Sequence, residues 1–252
     1  MLVSIINRSK RLQDKDVQTA VRAVNRQIAE DFEPYWSFGG QLRLEGAIGK
    51  RVNRNDLTDM RGDAILYLVD EADESKAYGW HDRNYHDIPF GFVFLDLCEA
   101  NDENWTVTLS HEALELVGDP LANLLVQGPA PLDRRRQVFH MFEMCDAVQS
   151  EIYLIDGVEV SNFVLPSYFS PGEQEGRRND FLGTVVNGKT LPSFGINPGG
   201  YVNYFDPATG KWESPTLAND PVAAKRQRLK RAAHAGRGYR RKHPQFLSGV
   251  KS

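Results

Sequence analysis

The sequence predicts an α+β fold, and three observations lead to that prediction. Apolar residues recur at helical spacing over residues 14–36, which indicates a long amphipathic helix near the start of the chain. Short runs rich in β-branched and aromatic residues precede and follow this helix, as is typical of strands. A second helix and then a loop-rich, β-containing half come after them. We therefore expect a mixed, twisted sheet with an N-terminal helix and a second helix that carries the main motif.

The elements of the first half follow in order. LVSIIN predicts a strand, and the long helix after it should end before Pro34, because proline interrupts a helix. QLRLEG alternates like a strand, whereas DAILYLVDEAD is the continuous apolar run of a strand buried on both faces. IPFGFVFLDLCEA predicts a further strand. The apolar stripe of the helix should be buried, and it consists of Val17, Val21, Val24, Ile28 and Phe32.

The second half is expected to be richer in loops. RRQVFHMFEMCDAVQSEIYLI begins helical or irregular and ends as a strand, and GVEVSNFVLPSYF predicts a strand that closes at Pro166. GGYVNYFDPATGKWESP predicts a hairpin with its turn between Asp206 and Gly210. We expect one domain over residues 1–215, in which residues 1–150 carry the motif and residues 151–215 form a β-rich closing part. A basic C-terminal extension would follow over residues 216–252.

Composition limits the class of protein. No apolar run approaches the roughly 18 residues that a membrane-spanning helix needs, so no membrane association is expected. The apolar stretch at the N-terminus is short and its charges follow it, which does not suit a secretory signal. A cytoplasmic location is therefore predicted. Cys98 and Cys145 are expected to be reduced, buried side chains.

The main motif is TLSHEALELVGDP, residues 108–120. On a helix, His111 and Glu115 stand four residues apart and can aim at a common point, with Glu112 beside them. Zinc accepts both imidazole and carboxylate ligands, although the added negative charge weakens the metal as a Lewis acid and favours harder cations. The alternative is an ordinary amphipathic helix that buries its apolar side chains.

This motif and the order of elements before it resemble the zincin metallopeptidases, whose helix carries His-Glu-x-x-His. Glu115 stands where that family has its second histidine, and Gly118 matches the glycine that ends the helix in the metzincin branch. The last metzincin ligand would fall on Leu121, which cannot bind metal. The segments SHEALELVGDP, EMCDAV and VSNFVLPSYF also resemble those of a group of bacterial and phage proteins of zincin-like appearance.

The thermolysin-like branch of the family suggests the rest of the site. There the third ligand is a glutamate on a later helix, and an aspartate three residues further on orients the first histidine. Glu143 and Asp146 have that spacing, so the resemblance implies Glu143 as the third zinc ligand and Asp146 as the partner of His111. Asp119 is the alternative third ligand, and His140 is a weaker candidate.

The resemblance also implies a function. Glu112 would be the general base that takes a proton from a water activated by Zn²⁺ or another divalent metal, and the reaction would be peptide hydrolysis. PFGFVFLDL would be the edge strand beside the cleft, where an extended polypeptide substrate or protein partner pairs with it. The alternative is a catalytically inactive, zincin-like interaction or assembly protein.

Two further patterns are expected to carry no chemistry. Residues 183–190, GTVVNGKT, satisfy the phosphate-loop pattern, but no strand precedes them and no helix can follow, so we interpret the match as chance. His81 and His86 are close enough in sequence to the predicted edge strand to reach a cleft. In a polar loop such as GWHDRNYHDIP, however, histidines are expected to be solvated.

Charge is distributed unevenly along the chain. Residues 225–243 carry nine Lys or Arg and no Asp or Glu, while the rest of the chain has 21 basic against 34 acidic residues, a net charge of −13. Such a tail can bind nucleic acid or another polyanion, with strong salt dependence. The alternative is a solvated terminus or an arm that folds back on the acidic body. The basic residues are Lys225, Arg226, Arg228, Lys230, Arg231, Arg237, Arg240, Arg241 and Lys242.

Overall fold

The computed structural model describes residues 1–45, 62–71, 78–84, 86–172 and 177–217, and within them the fold is α+β with a mixed sheet, as predicted. The sheet has five strands in the order β2-β1-β3-β5-β4. β1, β2, β3 and β5 are mutually parallel, and β4 pairs antiparallel with β5 at one edge. The strands are β1 (Leu2–Asn7), β2 (Gln41–Glu45), β3 (Ala64–Val69), β4 (Gly79–Arg83) and β5 (Pro89–Phe94).

The N-terminal helix runs further than predicted. It consists of α1 (Asp14–Arg26), a π-helical stretch (Gln27–Phe32) and α2 (Glu33–Trp36), and the predicted apolar stripe is buried along it. The expected end before Pro34 is wrong. Pro34 lies in the first turn of α2, where a backbone N–H is not needed for an intrahelical hydrogen bond, so the helical path continues to Trp36.

The edge strand was also assigned wrongly from the sequence. PFGFVF forms β5, which lies inside the sheet between β3 and β4. LDLCEA is not part of a strand but forms a short helix, α3 (Leu95–Ala100). The edge strand is β4, the segment GWHDR that was expected to be a polar loop. Asn84 closes the connection between these two strands, because its side-chain oxygen accepts hydrogen bonds from the backbone N–H of His86 and Ile88.

The motif lies on α4 (Trp105–Gly118), which packs against β4 and β5. Asn104 caps its start by accepting a hydrogen bond from the N–H of Thr106, and Gly118 is its last residue, as the resemblance implied. A hairpin of β8 (Ile152–Ile155) and β9 (Val158–Ser161) packs on it as well. As a result, every residue of α4 from Thr106 to Val117 is buried, including the polar ones.

The second half adds a small antiparallel sheet of order β13-β12-β7-β6. Its strands are β6 (Leu125–Pro129), β7 (Gln137–Met141), β12 (Tyr204–Asp206) and β13 (Lys211–Glu213), and the turn of the predicted hairpin joins the last two. The helical option for the segment around residues 135–148 is wrong, because these residues form β7, a loop and one turn of 3-10 helix (Asp146–Val148). GVEVSNFVLPSYF contributes β9 and a second 3-10 turn (Pro166–Phe169).

The core joins both halves of the chain. One apolar cluster contains side chains from α1, α4, one face of the five-stranded sheet and the loops after β7 and β9. A second, aromatic cluster covers the opposite face of the sheet around Trp80 and Phe92. Within the described ranges, none of the helices is both long and apolar enough to cross a membrane.

Candidate metal centre

Two carboxylates meet the imidazole of His111 at one of its nitrogens. Nε2 of His111 lies 3.2 Å from Oε1 of Glu115, one helical turn later, and 3.2 Å from Oδ1 of Asp146. One ligand atom from each of these three side chains lies within 4.8 Å of the others, and all three residues are buried. Asp146 therefore reaches the same nitrogen as Glu115, so these three side chains together could hold a metal ion.

The loop after β7 is anchored so that Asp146 reaches α4. The backbone carbonyl of Asp146 accepts a hydrogen bond from the N–H of Tyr201 (3.1 Å), and that of Ala147 accepts one from Asn197 (3.0 Å). Gly200 makes this contact possible, because a Cβ there would lie 2.2 Å from the carbonyl oxygen of Ala147. The segment of residues 197–201 therefore holds the loop after β7 in position against α4.

A second group of possible ligands shares Glu115 with the first. His81 of β4, Glu115 and Glu143 also offer ligand atoms within 4.8 Å of one another, and all three are buried. Nδ1 of His81 is 4.0 Å from Oε2 of Glu115 and 3.2 Å from Oε2 of Glu112. Glu143, the preferred third ligand from the sequence, thus lies in the group that contains His81, not in the group that contains His111.

Glu115 is held as a carboxylate although it is completely buried. Burial alone raises its pKa, but the attraction and hydrogen bonding of His111 outweigh this, so the pKa of Glu115 is lowered. The backbone N–H of Cys145 also donates to Oε1 (3.1 Å). Oε2 has no hydrogen-bond partner within the described residues, and neither has Nε2 of the buried His81. Buried polar atoms without partners are costly, and a cation would satisfy a carboxylate oxygen of this kind.

The distances and donor types suit a divalent cation. Two atoms that bind one zinc ion at about 2.0–2.2 Å are at most about 4.4 Å apart, and the distances of 3.2 Å around His111 satisfy this limit. Imidazole and carboxylate are ligands that zinc accepts, and the excess of carboxylates also suits harder ions such as Mn²⁺. A cavity of about 10 Å³ adjoins Glu143 and Asp146, which is roughly the room of one water molecule.

The other two proposed ligands take part in neither group. Asp119 is buried just after α4, and its Oδ2 accepts a hydrogen bond from the N–H of Leu124 (2.8 Å), which closes the turn there. Nε2 of His140 lies 3.0 Å from the carbonyl oxygen of Pro129, and the ring packs on Phe194. The described contacts of Asp119 and His140 are therefore with nearby backbone and ring groups, not with the cluster.

Sequence reasoning missed His81 as a member of the cluster. It was expected to be solvated, whereas it is fully buried in β4. His86, which lies in the turn after β4, is exposed as expected. The available signal was the position of GWHDR directly before an apolar strand, joined to it by the turn-forming stretch NYHD. Pairing with β5 buries the histidine, because one face of β4 packs against α4.

The remaining predicted features have simple outcomes. Val185–Val186 and Lys189–Thr190 form a two-stranded hairpin (β10 and β11) within the phosphate-loop pattern, and the described residues that follow it, 191–200, contain no helix. Cys98 and Cys145 are buried and form no disulfide. The basic residues of the tail lie outside the described residues.

Comparisons with protein-family models, curated proteins and solved structures found no match to this chain. Any functional assignment therefore depends on the geometry and chemistry of the cluster.

Proposed function

We propose that this chain is a zincin-like, metal-dependent hydrolase that cleaves peptide bonds. The observation that carries the proposal is the approach of Glu115 and Asp146 to the same nitrogen of His111, at 3.2 Å each. The order of elements supports the same family: a strand, a long helix, further strands with one at the edge beside the motif helix, and then that helix.

Three residues would hold the cation, which we expect to be zinc. They are His111, Glu115 and Asp146, and Asp146 replaces Glu143 in this set because of its contact with the same imidazole nitrogen. When bound, a divalent ion supplies Lewis acidity, which polarises a carbonyl group and lowers the pKa of water to about 7.

Glu112 is the proton carrier in this proposal. Its Oε2 lies 3.2 Å from Nδ1 of His81, which places the carboxylate directly beside the cluster. Glu112 would take a proton from the attacking water as the oxygen of that water bonds to the carbonyl carbon. The C–N bond of the substrate would then break, and Glu112 would return the proton to the leaving amine nitrogen. The edge strand β4 offers backbone groups to which an extended polypeptide can add.

Burial of the cluster favours a second candidate function, a non-catalytic protein with a structural metal centre. His111 is 3% exposed, Glu112 1% and Glu115 0%. Structural metal sites are closed, whereas catalytic ones keep a position open to substrate. Such a protein would act in interaction or assembly, with its basic tail as the contact to nucleic acid or another polyanion.

Metal analysis tests the proposal first. The full chain, purified without chelators, should contain at least about one equivalent of a divalent metal, and less than about 0.2 equivalents would contradict both candidates. Glu112→Gln should keep its metal and lose roughly 100-fold or more of the hydrolysis of an unstructured protein substrate. Glu99→Gln, an exposed position on α3, is the matched control and should keep both properties. A metal-loaded wild-type protein that hydrolyses nothing would select the second candidate.

A further inference from the structure

We propose that the cluster binds two divalent cations bridged by Glu115, the second held by His81, Glu115 and Glu143. This inference rests on the proposed function for its first cation, which His111, Glu115 and Asp146 would hold. It adds a second position and gives roles to His81 and Glu143 that the first position does not require.

The two oxygens of Glu115 face different histidines. Oε1 lies 3.2 Å from Nε2 of His111, and Oε2 lies 4.0 Å from Nδ1 of His81. Oε1 also accepts a hydrogen bond from Cys145, whereas Oε2 is buried and has no hydrogen-bond partner within the described residues. A carboxylate in this position can give one oxygen to each of two cations, which in two-metal sites are about 3.5–4 Å apart.

The second set of ligands comes from three separate elements. His81 lies on the edge strand β4, Glu115 on α4, and Glu143 in the loop after β7, yet their ligand atoms are within 4.8 Å of one another. Exposure is 0% for His81 and Glu115 and 6% for Glu143. The 4.0 Å between His81 and Glu115 is within the limit of about 4.4 Å for two atoms on one zinc ion.

Charge balance also favours two cations over one. Histidine binds metal as the neutral imidazole, so His81 and His111 would contribute no charge in the loaded centre. The four carboxylates, Glu112, Glu115, Glu143 and Asp146, carry a formal charge of −4 when ionised. With one divalent ion bound, the six side chains and the ion have a net charge of −2. With two divalent ions bound, the net charge is zero. Because all six residues are buried, an uncompensated charge there is costly.

Titration with Mn²⁺ alone tests the second position. Mn²⁺ suits carboxylate-rich sites, and its electron paramagnetic resonance distinguishes an isolated ion from an exchange-coupled pair. The chelator-stripped full chain should bind about two equivalents and give a coupled spectrum. His81→Gln and Glu143→Gln should each bind about one equivalent and give the spectrum of an isolated ion. His86→Gln, an exposed histidine just beyond β4, is the matched control and should behave as wild type.

The outcomes separate this inference from the proposed function. One equivalent in the wild type, unchanged by His81→Gln and Glu143→Gln, would overturn the second cation and leave the first in place. Binding of no Mn²⁺ and no Zn²⁺ by the wild type would overturn both. Circular dichroism and thermal unfolding establish that each variant is folded. If one of them unfolds, the other decides, because the two ligands come from different elements.

Discussion

At the scale of single residues, Glu115 shows how the cluster keeps charge inside the core. Burial favours the neutral acid, but His111 lowers the pKa of Glu115 below its ordinary value of 4.5. In the metal-free protein this pair stabilises the fold above pH 4.5, and its contribution is lost as the pH falls through the lowered pKa. A cation bound as proposed would stabilise the same ionised form of the carboxylate that His111 stabilises.

His140 provides a test of electrostatics away from the cluster. Burial lowers its pKa from 6.5 to about 4, although its hydrogen bond to Pro129 acts in the opposite direction. The unfolded chain takes up a proton near pH 6.5 and the folded chain only near pH 4, so the neutral ring contributes full stability above pH 6.5. We expect the free energy of unfolding to fall by up to about 3 kcal/mol between those values.

His140→Phe isolates this effect. The ring packing on Phe194 and Tyr204 is retained, while the titrating group is removed. Urea unfolding at pH 7, 6, 5 and 4, as chosen test conditions, should show a flatter pH dependence in the variant than in the wild type. Equal slopes for the two proteins would contradict the lowered pKa.

At the scale of elements, the contact between β4 and α4 sets the position of Glu112. A Cβ on Gly79 would lie 2.8 Å from Cγ of Glu112, 2.8 Å from Cγ2 of Thr108 and 2.9 Å from the carbonyl oxygen of Phe92. Glycine therefore allows the edge strand to approach the motif helix closely enough for His81 to reach Glu112.

Gly79→Ala should disturb both stability and metal binding. We expect a loss of about 1–3 kcal/mol in the free energy of unfolding, because the added methyl group forces the strand and helix apart. Weaker binding of Mn²⁺ should accompany it. Gly157→Ala is the control. Its φ of +79° makes alanine strained there, so it should also lose stability, but nothing lies within 4 Å of an added Cβ and metal binding should be unchanged. Unchanged stability and affinity in Gly79→Ala would show that the contact is not restrictive.

The elements also show what could be predicted from the sequence. Strong local patterns gave correct results: the helical stripe beginning at Val17, the apolar run of β3 and the turn of the hairpin between Asp206 and Gly210. β4 was missed because its GWHDR segment is polar and becomes buried only through α4 and β5. Burial by partners distant in sequence leaves no local periodicity to detect.

The candidate site divides in the same way. The spacing of His111, Glu112 and Glu115 on one helix could be predicted, because helical geometry alone brings these side chains together. The relative positions of Glu143 and Asp146 could not be predicted, because they depend on a loop whose path is fixed by Gly200 and its neighbours, more than fifty residues later. The burial of His81 depends on strand order, which local sequence patterns indicate only weakly, through the turn-forming stretch between GWHDR and the apolar strand after it.

At the scale of the whole molecule, the cluster connects distant parts of the chain. Its side chains come from an edge strand, a central helix and the loop that follows β7. A cation that binds only the folded form stabilises it by mass action, by about 2.7 kcal/mol when its free concentration is 100 times the dissociation constant.

If the cluster holds a metal as proposed, its removal should lower the melting temperature. For a chain of this size, a loss of about 2–3 kcal/mol corresponds to roughly 5–10 °C. Differential scanning calorimetry before and after treatment with a chelator measures the shift, and re-addition of Zn²⁺ should restore it. His86→Gln should shift as the wild type does. A wild-type melting temperature that is unchanged although elemental analysis shows that the metal has been removed would contradict a metal in the core.

The charge of the whole chain is divided between an acidic body and the basic tail of residues 225–243. With its nine Lys and Arg replaced by Gln in the full-length protein, binding to nucleic acid should weaken and lose most of its salt dependence. Fluorescence anisotropy with a labelled duplex at several salt concentrations measures both properties. Identical binding by the two proteins would refute a role of the tail.

The burial of α4 on every side has a kinetic consequence. From Thr106 to Val117 the helix is enclosed by the sheet, the β8–β9 hairpin and the loop after β7, so the side chains that it contributes to the cluster are shielded from solvent. A cation bound there can leave only when one of these layers separates from the helix. The rate at which an isotopically labelled ion exchanges would then report how often the core opens, and a slow exchange would mark the ion as a lasting part of the fold.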